Sequence, residues 1–277
     1  MCIRVAAVQL NSRDEKAANI AAAEAGIVAA AEAGARLVVL PELWTYLGPS
    51  EGNRANAEPI PGPVTERLAA LARRYGLILH GGSMLELPAG SPRETRLYNT
   101  AVLFGPDGAL LATYRKIHLF DAAPDDAAPA YQESATIAAG DAIVTAEVDG
   151  LTLGLATCYD LRFPELFRAL ALRGAQVFLL PSAFTLETGR DHWEPLIRAR
   201  AIENGCYVVA ADQVGTFPPK RATFGRSLIV DPWGTVLAQA PDYPCVITAE
   251  IDTDRVADVR RRIPSLANRR PDVYERG

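Results

Sequence analysis

Stretches of apolar, mostly β-branched residues alternate along the chain with stretches in which apolar and charged residues recur at helical spacing. The apolar stretches predict strands over residues 3–10, 36–40, 77–83, 97–104, 109–114, 151–157, 176–180, 206–212, 227–230 and 236–239. The helical stretches cover residues 14–33, 64–75, 164–173 and 191–204, each followed by a glycine as at a helix C-terminus. Because helices and direct hairpins both connect the strands, the pattern predicts an α/β protein with mixed sheets.

The organisation of the chain is uniform. No internal repeat and no linker divides it, and its 277 residues suit one large domain, so we expect a single domain over residues 1–277. One segment is biased in composition: residues 121–130 contain only Asp, Ala and Pro. A surface loop and a lid over a binding site are both compatible with this segment.

Charge and hydropathy exclude several classes of partner. Twenty-eight basic and 33 acidic residues give a net charge of −5, with no basic block, which argues against binding nucleic acid or an acidic membrane. No window approaches the roughly 20 apolar residues that a membrane span requires. The first ten residues are typical of a strand and not of a signal peptide. We therefore expect a soluble, cytoplasmic protein.

The cysteines indicate neither a disulfide framework nor a metal site. Cys2, Cys158, Cys206 and Cys245 lie far apart, without a CxxC pair, and the chain has only three histidines. Free thiols suit a reducing compartment, and this set of residues lacks the spacing of zinc ligands. We expect no metal and no organic cofactor.

Three polar residues stand at predicted strand ends, where α/β folds place their sites. Glu42 follows the strand over residues 36–40, Lys116 follows the strand over 109–114, and Cys158 lies between a strand and a helix. Taken singly, each has an ordinary alternative: a solvated carboxylate, a surface ammonium and a buried small side chain. Spacing alone does not decide whether the three converge.

Their chemistry shows how they can cooperate. A thiol with a pKa of about 8.5 is a weak nucleophile at neutral pH until a base removes its proton. Glu42 can act as that base, and a helix N-terminus after Cys158 would favour the thiolate. Lys116 beside the reacting carbon would stabilise the oxyanion of a tetrahedral intermediate.

The motifs around these residues make the chain resemble the nitrilase superfamily of carbon–nitrogen hydrolases. Pro-Glu42, the sequence YRKIHLF at residues 114–120 and CYDLRFPE at 158–165 occur in the order and approximate spacing of that family. Further similar segments cover residues 131–134, 189–194, 198–203, 231–234 and 269–274. Together they resemble the Nit branch, which includes omega-amidase and deaminated glutathione amidase.

The resemblance implies a fold, a reaction and a set of site residues. It implies a four-layer αββα sandwich, a Glu42–Lys116–Cys158 triad, and Glu133 as a second glutamate that positions Lys116. It further implies cleavage of a small carboxylate-bearing amide through a cysteine thioester, with the backbone N–H of Tyr159 at the oxyanion. Members of the family commonly form homodimers through helices, so a homodimer or higher homo-oligomer is expected.

The substrate stays open at this point. A carboxylate-bearing substrate needs a cation, for which Arg162, Arg173, Lys220 and Arg221 are available. His192 and Trp193 open a predicted helix near the expected pocket and are further candidates for its lining.

Three alternative functions also stay open. True nitrilases usually carry Cys-Trp-Glu at the nucleophile, whereas this chain has Cys158-Tyr159-Asp160, which favours an amidase. Hydrolysis of an N-carbamoyl compound or of a nitrile remains an alternative on the same scaffold. A non-catalytic small-molecule binding protein is the alternative from another class, and the presence of all three triad residues argues against it.

Overall fold

The strands and helices follow the predicted alternation closely. A computed structural model describes residues 1–92, 95–123 and 131–274. Its strands are β1 (Cys2–Gln9), β2 (Leu37–Val39), β3 (Ile78–Glu86), β4 (Tyr98–Phe104), β5 (Leu110–Arg115), β6 (Asp121–Ala122), β7 (Tyr131–Gln132), β8 (Thr145–Val148), β9 (Leu151–Leu155), β10 (Val177–Ser182), β11 (Tyr207–Asp212), β12 (Val214–Phe217), β13 (Arg221–Phe224), β14 (Leu228–Val230), β15 (Val236–Gln239) and β16 (Cys245–Asp252). Its helices are α1 (Lys16–Glu32), α2 (Asn53–Asn56), α3 (Pro63–Tyr75), α4 (Pro164–Leu172), α5 (Leu186–Thr188), α6 (Glu194–Asn204), α7 (Thr253–Arg262) and α8 (Pro271–Tyr274).

Two six-stranded mixed sheets form the centre of the molecule. The first sheet has the strand order β16-β1-β2-β3-β4-β5, and the second has the order β15-β14-β11-β10-β9-β8. Each sheet has three parallel strands in the middle, β1-β2-β3 in the first and β9-β10-β11 in the second. Antiparallel strands flank both sets. The two sheets therefore have the same design, although β16 of the first sheet comes from the C-terminal part of the chain and we found no repeat in the sequence.

The hydrophobic core has three layers, which confirm the expected αββα sandwich. Side chains such as Val39 of the first sheet and Leu179 of the second pack between the sheets and are fully buried. On the outer face of the first sheet, α1 and α3 contribute Ile27 and Leu68. On the outer face of the second sheet, α4 and α6 contribute residues such as Phe167. The central parallel strands such as β2, β3, β10 and β11 are buried on both faces, which explains why they have continuous apolar sequences.

Helix ends follow the local signals that the sequence contains. Helix α3 has Pro63 in its first turn, where the missing N–H costs no hydrogen bond, and Gly76 follows it with a φ of 63°. Helix α6 is likewise followed by Gly205 at a φ of 57°. Glycine adopts this left-handed conformation without strain, so both helices end where the pattern predicts.

The elements missing from the sequence prediction lie mostly near the C-terminus. Strand β16 pairs with β1 along its whole length, from Cys2 opposite Asp252 to Gln9 opposite Cys245. Helix α7 follows it directly, and the β12–β13 hairpin was also not predicted. Most of β16 is only half-buried. Its position in the sheet therefore depends on pairing with a strand more than 230 residues earlier, which a local pattern does not reveal.

Two expectations concern the surface. None of the helices in the described part of the chain is long and apolar enough to cross a membrane. The Asp/Ala/Pro segment begins with β6, which pairs with β7. Residues 124–130 of that segment lie outside the described residues, and the choice between surface loop and lid is not tested there.

Candidate active site

A cavity opens at the carboxyl ends of the parallel strands of both sheets. Its volume is about 450 Å³, within the usual range of small-molecule sites. Glu42, Lys116, Glu133 and Cys158 all line it. The structure therefore brings together the four side chains that the sequence left separate, because β2, β5 and β9 end at the same edge of the sandwich.

Lys116 occupies the centre of this group. Its side chain is only 2% exposed, and its Nζ donates hydrogen bonds to Glu42 Oε1 at 2.9 Å and to Glu133 Oε2 at 2.8 Å. Burial by itself lowers the pKa of Lys116, but the carboxylates of Glu133 and Glu42 outweigh burial and hold that pKa well above its usual value. The lysine is therefore a fixed ammonium group at neutral pH.

Glu42 is held in place by both sheets. Asn99 Nδ2 donates to its Oε1 at 2.8 Å, and the backbone N–H of Ala183 donates to its Oε2 at 2.9 Å. Its own N–H donates to the Ser182 carbonyl, and its carbonyl accepts from Gln213 Nε2. The glutamate thus follows β2 of the first sheet, while the ends of β10 and β11 in the second sheet fix its position.

Glu133 completes the charged group from the other side of Lys116. Its Oε2 accepts the backbone N–H of Phe120 at 2.7 Å, and its Oε1 accepts Asn99 Nδ2 at 3.2 Å. Asn99 therefore contacts both glutamates. Sequence reasoning missed this residue, although a polar side chain inside an apolar strand was an available signal.

Cys158 follows β9 and begins a tight turn. Its φ is +47°, a conformation that is uncommon for a residue other than glycine, and the thiol is almost fully buried. Burial, followed by the charge of Glu42, raises the pKa of the Cys158 thiol well above its usual value against the opposing effect of Lys116.

The state of Cys158 corrects one sequence expectation. The cysteine starts a short 3-10 turn over Cys158–Arg162, and α4 begins only at Pro164. The expectation that a helix N-terminus favours the thiolate is therefore wrong. The resting group is a neutral thiol, because burial and the nearby carboxylate both disfavour a negative charge on sulfur.

Asp160 connects the Cys158–Arg162 turn to the segment that carries Lys116. It is fully buried, and its Oδ2 accepts the Tyr114 hydroxyl at 2.6 Å and the Thr157 N–H at 2.8 Å. Its Oδ1 accepts the N–H of His118 at 3.1 Å and contacts His118 Nδ1 at 2.7 Å. Sequence reasoning quoted this aspartate in a motif but assigned it no role.

Asp212 is a second buried acid that sequence reasoning missed. It ends β11, and its side chain accepts the N–H groups of Phe184 and Gly225 at 2.9 and 3.0 Å. Burial raises the pKa of Asp212 well above its usual range, and the charge of Glu42 adds to this effect. The bond to Phe184 orders the segment in which Ala183 donates to Glu42. The sequence signal that could have identified Asp212 is its position at a predicted strand end, which it shares with Glu42.

The remaining predicted residues divide between the cavity and the core. Tyr159 and Arg162 line the cavity. Trp193 is fully buried, its ring 5.1 Å from that of Phe184, and its Nε1 donates to the Arg226 carbonyl. The expectation that Trp193 lines the pocket is therefore wrong, because its ring packs in the core.

Of His192 and the remaining candidate cations, some line the cavity and others do not. His192 is exposed and lies outside the described lining of the cavity, although its Nδ1 contacts Arg162 Nη1 at 3.2 Å. Of the remaining cations, Arg221 lines the cavity, whereas Arg173 and Lys220 do not belong to its described lining. The part of the chain that the structure describes contains no group of three or more His, Cys, Asp or Glu side chains that could hold a metal.

The fold and the site together define a class of protein. A buried thiol, an ammonium group and two carboxylates meet at the strand ends of an αββα sandwich. This combination is suited to acyl transfer, because it supplies a nucleophile, a base and a cation for an oxyanion.

Comparison with known proteins gives the family. The carbon–nitrogen hydrolase family profile matches residues 4–261. A deaminated glutathione amidase from Synechocystis sp. is 42% identical over 267 residues, which cover 95% of this chain and 97% of that protein. Human omega-amidase NIT2 is 40% identical over 271 residues, which cover 98% and 96% of the two chains. The chain therefore belongs to the carbon–nitrogen hydrolase family and is an amide hydrolase.

Solved structures agree with this assignment. The NitFhit protein of C. elegans superimposes with a TM-score of 0.90 at 37% identity, covering 99% of this chain and 66% of that longer one. A mutant of the amidase from Nesterenkonia sp. AN1 matches with a TM-score of 0.78 at 26% identity, over 99% and 95% of the two chains. In that mutant, the acetamide moiety of fluoroacetamide is covalently bound to the active-site cysteine.

Replacing Asp160 tests whether its hydrogen bonds stabilise the Cys158–Arg162 turn. In Asp160→Asn the new amide nitrogen cannot accept hydrogen bonds, so two of the buried donors lose their acceptor. We expect the free energy of unfolding to fall by about 2–4 kcal/mol, measured by urea denaturation. Glu165→Gln, an exposed carboxylate at the start of α4, is the matched control and should stay within about 0.5 kcal/mol of wild type. Equal stability of the two variants would contradict the role of Asp160.

Proposed function

We propose that the protein hydrolyses the C–N bond of a small carboxylate-bearing amide, with Cys158 as nucleophile, Glu42 as general base and acid, and Lys116 at the oxyanion. The observation that carries this proposal is the convergence of these three side chains with Glu133 in one cavity. The neutral state of the thiol supports it further. A thiol that keeps its proton at rest needs a base beside it, and the Glu42 carboxylate raises the thiol pKa from within the same cavity.

Acylation begins with transfer of the thiol proton to Glu42. The Cys158 sulfur then bonds to the amide carbon, and the carbonyl oxygen becomes an oxyanion that the Lys116 ammonium and the Tyr159 N–H stabilise. Glu42 returns its proton to the amide nitrogen, and the C–N bond breaks. The amine leaves, and a thioester remains on Cys158.

Deacylation repeats the same chemistry with water. Glu42 takes a proton from a water molecule, and the resulting hydroxide attacks the thioester carbon. The oxyanion forms again beside Lys116, the C–S bond breaks, and the sulfur recovers a proton from Glu42. The carboxylic acid product leaves, so the reaction needs no reactant besides the amide and water.

Glu133 acts on this reaction through Lys116. Because Lys116 lies between two carboxylates, its ammonium stays charged when Glu42 is protonated during turnover. Without Glu133, a protonated Glu42 would leave the lysine buried without a counter-charge, which is costly in a dry site. Glu133 is therefore a positioning residue.

The substrate proposal follows the named relatives. Similar proteins are a deaminated glutathione amidase and an omega-amidase, at 42% and 40% identity. We infer an amide of that type, whose acyl part carries a carboxylate. Arg162 is the cation that we assign to this carboxylate, because it lines the cavity in the same turn as Cys158.

Release of 2-oxoglutarate tests the proposal directly. Purified protein is supplied in turn with 2-oxoglutaramate and with deaminated glutathione, both of which yield 2-oxoglutarate on hydrolysis. We expect release from at least one of the two. Cys158→Ala should abolish release while leaving the circular dichroism spectrum unchanged, because the change removes few packing contacts. The ratio of the two wild-type rates then names the type of amidase.

Two outcomes would contradict this reading. Release that persists in Cys158→Ala would exclude the cysteine as the nucleophile. No release from either compound would reject the proposed substrates, and the same assay would then be applied to N-carbamoyl compounds and nitriles.

Glu42→Gln tests the general base separately. The amide keeps the shape of the side chain but cannot take the thiol proton, so we expect kcat to fall by roughly 100- to 10,000-fold. Glu66→Gln, at an exposed glutamate of α3 outside the described lining, is the matched control and should retain wild-type kcat. A Glu42→Gln variant with near-normal kcat would refute the role given to this carboxylate.

We also propose that the protein is cytoplasmic and forms a homodimer through the helical layer on the second sheet. The unpaired cysteines and the lack of a membrane-crossing helix among the described residues support the location. Two large apolar side chains of this layer, Leu172 and Ile202, are more than half exposed and support the interface.

The dimer is tested by light scattering after size exclusion. Wild type should have the mass of two chains, and Ile202→Glu should shift the mass toward one chain because it places a charge in the proposed interface. Leu111→Glu places the same charge on exposed β5 of the other sheet and should leave the mass at two chains. A monomeric wild type at tens of micromolar protein would reject the proposal.

A further inference from the structure

Arg221 is a cation of the cavity that the proposed reaction does not use. It is the first residue of β13, and its guanidinium carbon lies 3.7 Å from the centroid of the Tyr131 ring. Both residues line the cavity, on elements that lie far apart in sequence. The contact holds the guanidinium over the Tyr131 ring, and a guanidinium binds a carboxylate through its N–H groups.

No carboxylate of the described residues forms an ion pair with Arg221. Arg226, five residues later, forms a two-point ion pair with Asp242 at 2.7 and 2.8 Å. By contrast, within the described chain Arg221 has no carboxylate at ion-pair distance. The cavity glutamates Glu42 and Glu133 are both bound to Lys116, and the third lining glutamate, Glu51, is exposed.

Arg162 is a second cation of the cavity that contacts aromatic rings and forms no ion pair among the described residues. Its guanidinium lies over the rings of Tyr159 and Phe184, at 5.8 and 5.2 Å, and contacts His192. It too has no carboxylate at ion-pair distance in the described part of the chain. Among the described residues, then, two guanidinium groups on two different elements of the cavity lack an ion-pair partner, which favours a ligand with two anionic groups.

The positions of the two arginines distinguish their roles. The proposed function assigns Arg162, four residues after Cys158 in one turn, to the carboxylate of the acyl part. Arg221 follows the exposed residues Pro219 and Lys220 in the β12–β13 hairpin, on the outer part of the cavity wall. With Arg162 assigned to the acyl part, Arg221 is the cation left for the amine part.

We propose that Arg221 binds a second carboxylate, at the far end of the amine part, so that the preferred substrate is an amide with an anionic group on each side of the scissile bond. This inference rests on the proposed amide hydrolysis and names the preferred class of amide. An amide of this class releases an amino-acid or peptide fragment. An amide that releases ammonia has no carboxylate on its amine part for Arg221 to bind.

Kinetics with three amides test the proposal. Deaminated glutathione carries a carboxylate at the end of its amine part, its glycyl-amide analogue is neutral there, and 2-oxoglutaramate releases ammonia. In Arg221→Met, kcat/KM for deaminated glutathione should fall by about 10- to 100-fold. The other two amides should change by less than about threefold. Lys220→Met, the adjacent cation outside the described lining, is the control and should alter none of the three.

The outcomes separate this inference from the proposed function. An equal loss for all three amides, or no loss for deaminated glutathione, would overturn the role of Arg221. If wild type hydrolyses none of them, the proposed function fails, and binding decides the inference. Calorimetry with Cys158→Ala should then show affinity for deaminated glutathione that falls at least tenfold when Arg221→Met is added. Unchanged affinity would overturn the inference in that case as well.

Discussion

The structure of the site depends on one buried ammonium group. Lys116 is 2% exposed and lies between the carboxylates of Glu42 and Glu133. A charge at such a depth is tolerated only when it is paired and hydrogen-bonded, and two acids without a cation between them would repel one another. The lysine therefore requires both glutamates, and both require the lysine. This mutual dependence holds three separate segments of chain around the Cys158 thiol and keeps the thiol proton in reach of a base.

That charged group is possible because the two sheets are joined at their strand ends. Glu42 leaves the first sheet, yet its backbone bonds to Ser182 and Gln213 of the second. Asp160 makes a second connection. It bonds to Tyr114 and His118 and so joins the Cys158–Arg162 turn to the segment that carries Lys116. In these connections both carboxylate oxygens of Glu42 and of Asp160 accept hydrogen bonds, which makes the arrangement specific. The two arginines of the cavity lining, Arg162 and Arg221, form no ion pair in the described chain and are the cations that we propose for substrate selection.

Much of this could be predicted from the sequence. The strands, the four long helices and their glycine ends follow local patterns, because each element shows its buried face and its termini in neighbouring residues. Glu42, Lys116 and Cys158 were identified as strand-end residues, and their family motifs indicated the reaction. The elements not predicted, β16 and the β12–β13 hairpin, are those whose burial depends on distant partners. Trp193 was misplaced for a related reason, since an aromatic residue beside a pocket and one beneath it have the same local sequence.

By itself, then, the sequence determined an α/β protein with mixed sheets and the order of most elements, because these depend on short-range periodicity, whereas the αββα class and the proposed reacting groups came from the resemblance of its motifs to a family. Only the tertiary structure decided what those groups do to one another. Whether Cys158 rests as thiol or thiolate depends on burial and on the distant carboxylate of Glu42, which outweigh any local helix effect. Which cations remain available for a substrate likewise depends on which acids lie within reach, and electrostatic partners are set by distance in space and not by distance along the chain.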